Sequence, residues 1–564
     1  MTVETFAGCR FRIVPPLLAL LLALTSRLSA QVVPSLPATP ATPPAASSPD
    51  PADPEQALSE ALSLERRRQW ADAIRVYERA LERWPARVEL RHRLRLCEAH
   101  IRLARRYQDP SFRQILLRMP ANQALDLFDE VLERIETHYV DPVSPLPLVR
   151  RGLDNLEVAL REPLFLDTNA PGADPARVLW LRQTLQNRRH RLLVHSREEA
   201  RRFVSEAVEL GRRAIQLEPT ALILEFVYGA CDALDDYSAY LSPDKLDDLY
   251  SVIDGNFVGL GVELKSDPAG LLLVGIIPGG PAAAAGLTVG QRIVAIDGRE
   301  IRGLALDEAA ALLQGPEGSA VEISILAPDG SRQTLRLVRR PIEVLSVSQA
   351  RILDPVLGIG YIQLTGFQKG STEELRRALS ALEQAGMRFL LLDLRGNPGG
   401  LLDVSVEIAD EFLDSGIIVS TRGRAGSQNA VYRARPGVSW RLPVAVLVDH
   451  DTASAGEILA GALKENRRAL VIGEKSYGKG SVQSIFPLRT APAGLKLTTA
   501  RFYSPTNQSY SEQGVLPDVA VRTAARPATD SASDPLPSSF GDPATDTVLQ
   551  RALAQARRVL SVAH

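Results

Sequence analysis

Ser454 and Lys479 are the pair whose types and spacing best suit joint chemistry. Ser454 lies within DHDTASAGEILAGAL (449–463), behind the apolar run PVAVLVD and at the head of a helical pattern. With Glu457 three residues later, it fits a capping box, in which a hydroxyl and a carboxylate satisfy free N–H groups at a helix start. The same position also suits a nucleophile. A strand-to-helix turn holds it, and the N–H of Ala455 and the helix dipole point at any oxygen that gains charge beside it. Such a serine needs a base. His450 lies four residues before it, across a turn that would have to fold back on itself, and no G-x-S-x-G elbow surrounds the serine. Lys479, in EKSYGKGSVQS, is the better candidate: one helix and one strand further on, its loop neighbours that of Ser454 if the two strands are adjacent. A lysine is a base only when neutral, so burial must lower its pKa by several units. In a strand starting at Lys479, residues 479, 481 and 483 share a face. Gln483 can therefore orient the amine without a charge that would raise its pKa. Gly478 and Gly480 let the backbone pass close to the site.

These loops need a frame. From Gly358 the chain alternates apolar strand runs with amphipathic helices: LGIGYIQLTGF, TEELRRALSALEQAG, FLLLDLRGNPGG, LDVSVEIADEFL, PVAVLVD, then RALVIGE and KLTTARFYSP. That alternation predicts a layered α/β domain over 342–523. Sites in such domains gather at the carboxyl ends of strands. Three loops fall there: 395–400, 449–454 and 475–480.

Before this block the grammar is different. Residues 255–341 read as about five short strands with Gly-rich turns and one helix, ALDEAAALLQG, across an open edge: a PDZ domain. Its signature loop is Gly259-Leu260-Gly261-Val262, followed by PGGPAAAAGLTVGQRIVAIDG. The glycines let successive backbone N–H groups cradle a chain-terminal carboxylate while the bound peptide adds as an extra strand. The alternative is a PDZ fold kept only as structure.

The 564 residues allow roughly three or four domains of about 150 residues. Residues 1–30 carry Arg10 and Arg12, an apolar run IVPPLLALLLAL and a small-residue site at Ser29-Ala30, the pattern of a secretory signal peptide. An uncleaved anchor is the alternative, and only then would the protein meet a membrane. A Pro/Ala-rich linker spans 31–54. Residues 55–118 place Ala61, Leu64, Ala73, Tyr77, Ala80 and Pro85 at the offsets of a tetratricopeptide (TPR) repeat, or of a generic Ala-rich helical hairpin. Helices continue over 119–254, and 524–564 is a polar, Pro-rich tail ending in a helix that either docks on the core or self-associates. The fold class is thus multidomain α+β: an N-terminal helical TPR-like region, a PDZ domain and a layered α/β core. Lys plus Arg is 65 against 67 Asp plus Glu, a balance that argues against nucleic-acid binding. Of three cysteines, Cys9 falls in the signal segment, and Cys97 and Cys231 read as buried free thiols. No Cys/His cluster has metal-ligand spacing.

The stretch DHDTASAGEILAGALKENRRALVIGEKSYGKGSVQ resembles the signature of the C-terminal processing peptidases, or tail-specific proteases. The resemblance extends over the helical run-up YGACDALDDYSAYLSPDKLDDL, the PDZ domain and the α/β core, most of 121–523. It implies a serine endopeptidase with Ser454 as nucleophile, Lys479 as general base and Gln483 as the residue that orients it. The oxyanion N–H groups would come from Ala455 and from Gly399 or Gly400 of the DLRGNPGG turn. It implies no metal or cofactor, and protein substrates with free, apolar C-termini captured by the PDZ loop of an exported enzyme. The chain departs from the family pattern at Gly456, at Gly290-Gln291 and at Asp236. The helical insert around 160–220 and the TPR-like segment fall outside that pattern and read as partner or self-association surfaces. Two rivals remain. One is a non-enzymatic TPR/PDZ adaptor with an inert core, against which the intact Ser–Lys–Gln set argues. The other is a crotonase-like acyl-thioester enzyme, which leaves the PDZ domain and signal peptide unexplained.

Overall fold

The computed structural model describes residues 53–267, 269–302, 306–437, 439–521 and 540–562, with the backbone of a two-residue strand, Ala19–Leu20. The signal-peptide and linker readings otherwise lie outside the described residues.

The α/β core is built on a six-stranded sheet in the order Val347–Asp354, Ile359–Leu364, Phe389–Asp393, Val444–Val448, Ala469–Gly473, Val519–Ala520. The first pair is antiparallel and the rest are parallel. Ile359–Leu364, Phe389–Asp393 and Val444–Val448 are buried along their whole length, as expected of parallel strands covered on both faces. Alternate residues serve opposite faces. Ile362, Leu364, Leu390, Leu392, Val446 and Val448 pack under the helices Ser371–Gln384, Leu402–Asp410 and Ala455–Glu465. Ile359, Tyr361, Leu391, Ala445, Leu447 and Ile472 face the C-terminal helix Thr547–Val562 through its Val548, Leu549, Ala552, Leu553, Ala556 and Leu560. The apolar stripe of the tail thus docks on the core.

A second, antiparallel sheet runs Ser481–Pro487, Gly494–Tyr503, Ile417–Gly423, Ala430–Arg433, with Ala239–Leu241 beside Gly494–Tyr503 and Ala19–Leu20 beside Ser481–Pro487. Its Phe486, Leu495 and Leu497 share one core with the N-terminal helices, including Leu127, Phe128, Val131, Phe226 and Val227. This sheet therefore joins the helical lead-in to the protease-like core. Further out, Pro54–Arg66, Trp70–Arg83 and Val88–Gln108 form a helical layer around Ala61, Ala73, Tyr77 and Ala80. The buried Arg106 of that layer donates to the buried Glu225 at 2.8 Å and lies over the Tyr228 ring at 3.7 Å, tying the layer to the lead-in. Cys97 and Cys231 are buried and free. Among the described residues no helix is long and apolar enough to cross a membrane.

The PDZ unit is a six-stranded sheet in the order Val262–Asp267, Gly270–Ile276, Arg292–Ile296, Ala320–Leu326, Arg332–Val338, with the short Arg299–Glu300 beside Arg292–Ile296, around a core of Leu260, Leu273, Ile293, Ile323 and Ile325. One antiparallel ribbon carries the chain in and out of it: Asn256–Gly259 paired with Arg340–Glu343.

Candidate active site

Ser454 is fully buried at the head of Ala455–Glu465. Its backbone sits at φ 58°, ψ −116°, a left-handed region that L-residues occupy only when the surroundings impose it. A capping serine takes an extended conformation and its oxygen accepts an N–H. Ser454 is not extended, and although its Oγ faces the Glu457 N–H in the manner of a capping box, it makes no hydrogen bond there or elsewhere. The carboxylate half of the capping box is a full hydrogen bond, with Ser454 N–H donating to Glu457 Oε2 at 2.8 Å. The local pattern therefore fixes the turn while leaving the hydroxyl uncommitted. His450 lies at the surface, its Nε2 3.3 Å from Asp451.

Lys479 is 3% exposed, with its Nζ 4.5 Å from the centre of the Tyr237 ring. Burial, then the neighbouring Lys496, pull its ammonium from the usual lysine range down to about 7, against the opposing pull of Asp235 and Glu457. Burial lowers Lys496 as well. Gln483 is buried on Ser481–Pro487. Its amide nitrogen donates to Ser481 Oγ at 3.0 Å and Thr498 Oγ1 at 3.2 Å, and Oε1 has no partner.

Glu457 gathers these loops. Its Oε2 accepts the N–H of Lys479 at 2.9 Å as well as that of Ser454, while Oε1 accepts Ser476 Oγ at 2.6 Å and Gly478 N–H at 2.7 Å. Burial pushes this carboxyl up, and the four donors work against that shift. The capping-box signal marked Glu457 but gave no sign of its contacts to 476–479.

The turn 395–400 closes over the serine. A Cβ built on Gly399 would stand 2.7 Å from Ser454 Cβ and 2.9 Å from Ala455 N, and Gly399 has φ +101°. Glycine is required here both for the close approach and for the backbone conformation. Gly399 N–H donates to Asn397 Oδ1 at 2.8 Å. Gly400 pairs with Phe367, where a Cβ would fall 2.2 Å from Phe367 O. The turn is fastened to the Ser454 loop by Gly396 N–H on both Asp449 oxygens at 3.0 and 3.1 Å, Thr452 Oγ1 on Leu394 O at 2.9 Å, and Ala453 N–H on Asn397 O at 2.9 Å.

In the PDZ loop, Gly259 ends the ribbon strand, Leu260 points into the PDZ core, Gly261 has φ +75° and Val262 opens the next strand. The carbonyls of Leu260 and Gly261 accept Ala282 N–H at 2.8 Å and Ile277 N–H at 3.0 Å, which anchors the loop.

Two family models match the chain: peptidase family S41 over 358–521 and the PDZ domain over 273–326. The carboxy-terminal-processing protease of Bartonella bacilliformis is 37% identical over 306 residues, covering 53% of this chain and 69% of that protein. The carboxyl-terminal-processing protease of Synechocystis is 35% identical over 308 residues, 54% of this chain and 71% of that protein. The chloroplastic carboxyl-terminal-processing peptidase 2 of Arabidopsis thaliana is 39% identical over 297 residues, 50% and 57% of the two chains. A PDZ-bearing serine-type peptidase with a layered α/β core is what this fold and these matches define. The chain belongs to the carboxy-terminal processing proteases of peptidase family S41.

Proposed function

We propose that the protein is an exported serine endopeptidase that takes hold of protein substrates by their free C-termini and cuts them with a Ser454–Lys479 dyad. The observation that carries this reading is that Glu457 ties the loop of a buried Ser454, whose hydroxyl has no hydrogen-bond partner, to that of a buried Lys479 with its pKa lowered to about 7. Neutral Lys479 accepts the proton of Ser454 Oγ as that oxygen attacks the scissile carbonyl, forming the tetrahedral intermediate. Gln483 Oε1, which has no partner at rest, is assigned to accept from the lysine amine during the reaction and so hold it towards the serine. The oxyanion is met by the N–H of Ala455 and by the 395–400 turn. With Gly399 N–H directed to Asn397 Oδ1, Gly400 is that turn's donor in this arrangement. Lys479 then returns the proton to the departing amine, and water attacks the acyl-enzyme by the same base catalysis, freeing Ser454.

The PDZ loop 259–262 binds the substrate's terminal carboxylate, and an apolar last side chain enters the groove beside the helix Leu306–Leu313. Export, to a periplasm or the outside of the cell, rests on Arg10, Arg12 and the apolar run that follows. The test is digestion of an unfolded protein with an apolar C-terminus by the chain from residue 31 onward, with fragments read by mass spectrometry. Cleavage by wild type that is lost in Ser454→Ala and Lys479→Ala is the expected result. Equal cleavage by Lys479→Ala would remove Lys479 as the base, and an inactive wild type would favour the adaptor.

A further inference from the structure

The catalytic reading gives no role to the C-terminal helix, yet its first contact is with the oxyanion turn. Arg395, the residue that opens the turn, is buried between two carboxylates. On one side Asp393 accepts from its backbone N–H at 3.0 Å, from Nε at 2.9 Å and from an Nη at 2.6 Å. On the other, Asp546 takes both terminal nitrogens, at 2.8 and 2.6 Å. The Phe540 ring lies 4.4 Å from the guanidinium carbon, a third fixed wall. Asp546 has no freedom to yield, because its oxygens also accept Leu549 N–H at 2.9 Å and Gly541 N–H at 3.1 Å at the start of the docked helix. Asp393 is likewise held, by the Tyr361 hydroxyl at 2.8 Å. A bidentate, desolvated arginine pair fixes angle as well as distance.

We infer that Asp546 is a positioning residue for catalysis: through Arg395 it sets the 395–400 turn, and so the oxyanion N–H groups, against Ser454. Asp546, at the foot of the C-terminal helix, thus acts on catalysis without touching substrate. This rests on the proposed dyad and oxyanion reading.

The test uses the chain from residue 31 to 564, with a peptide substrate bearing an apolar C-terminus and a fluorophosphonate that labels an activated serine directly. Four variants are compared with wild type: Asp546→Asn, Asp546→Glu, Ser454→Ala, and Leu553→Ala, which weakens the same helix away from Arg395. Asp546→Asn is expected to lower kcat and the labelling rate at least tenfold with KM within twofold. Asp546→Glu is expected to recover part of that loss. Leu553→Ala should lower the thermal midpoint yet keep wild-type kcat. The inference is overturned if Asp546→Asn keeps kcat and labelling within twofold of wild type. It is equally overturned if those rates fall only in step with the thermal midpoint, along the line set by Leu553→Ala. Failure of the underlying reading has a separate signature: a Ser454→Ala variant that still cleaves, or a wild type that takes no label at Ser454, removes both.

Discussion

The backbone N–H groups of Ser454 and Lys479 donate to the same atom, Oε2 of Glu457, at 2.8 and 2.9 Å. The two loops proposed for attack and proton transfer are therefore spaced by a single carboxylate, itself buried and held by Ser476 and Gly478. Glu457→Ala would leave four donors in a closed interior without an acceptor. The expected cost is about 3 kcal/mol or more of stability, since each orphaned buried donor costs about 1–3 kcal/mol. Denaturant unfolding measures it. Glu457→Gln, which keeps the shape and one acceptor oxygen, should fall between Ala and wild type in stability while still losing most activity.

The depressed Lys479 pKa sets a pH dependence. The base works only when neutral, so kcat/KM should rise about tenfold per pH unit below 7 and level off above it. A profile with no inflection between pH 6 and 8 would count against Lys479. Stability carries the same signature. The folded pKa, about 7, lies below the ordinary 10.5 of the unfolded chain, so between those values the unfolded state binds a proton that the folded state does not. Stability contributed by this group therefore rises with pH across that window, by about 1.4 kcal/mol per unit at most. Lys479→Met should flatten the slope, as read from urea midpoints at pH 7, 8 and 9.

Gly399→Ala tests the closeness of the oxyanion turn. Its methyl would meet Ser454 Cβ at 2.7 Å in a backbone conformation unsuited to alanine. Loss of oxyanion geometry typically costs about 100- to 1,000-fold in kcat. That drop is expected here, with peptide binding to the PDZ domain unchanged when followed by fluorescence anisotropy.

Capture by the PDZ loop predicts a different split. Gly261→Val forces a branched residue into φ +75°, with a Cβ site 3.3 Å from Gly280 Cα. KM for substrates with a free apolar C-terminus should rise about tenfold, with kcat for saturating short peptides little changed. Amidating the substrate's C-terminus should reproduce the defect in wild type, and an amidated substrate cut as well as the free acid would argue that the loop does not read the carboxylate.

What the sequence made legible follows from how local each signal is. Ser454, the Gly-rich turns and the βα alternation are written in short stretches, so the succession of strands and helices and the position of the serine at a strand-to-helix turn could be read directly. The placing of Ser481–Pro487 and Gly494–Tyr503 in a second sheet could not. Spacing of one helix and one strand pointed to Lys479 as the partner of Ser454, and the family resemblance implied the same pairing. The conformation of Ser454 could not be read, because an S-x-x-E pattern predicts an extended cap and the observed φ is 58°. Tyr237, which lines the Lys479 pocket, comes from a distant segment with no chemical pattern of its own. Asp546 stands in a polar tail, and nothing around it announces that its partner is Arg395. Such contacts depend on how the sheet and its covering helices close, which no local periodicity encodes.

The ribbon at the base of the PDZ unit has a consequence for how this scaffold can change. Asn256 pairs with Glu343 and Gly259 with Arg340, so the chain leaves the core and returns to it at one place. Cut at the Asn256–Glu343 pair, the two loose ends lie only about 5 Å apart, a gap that a short turn can splice. The core's own path is thus indifferent to what is carried on the ribbon. The PDZ unit is exchangeable cargo: a different domain could be grafted at the same socket without rerouting a single strand of the six-stranded core sheet.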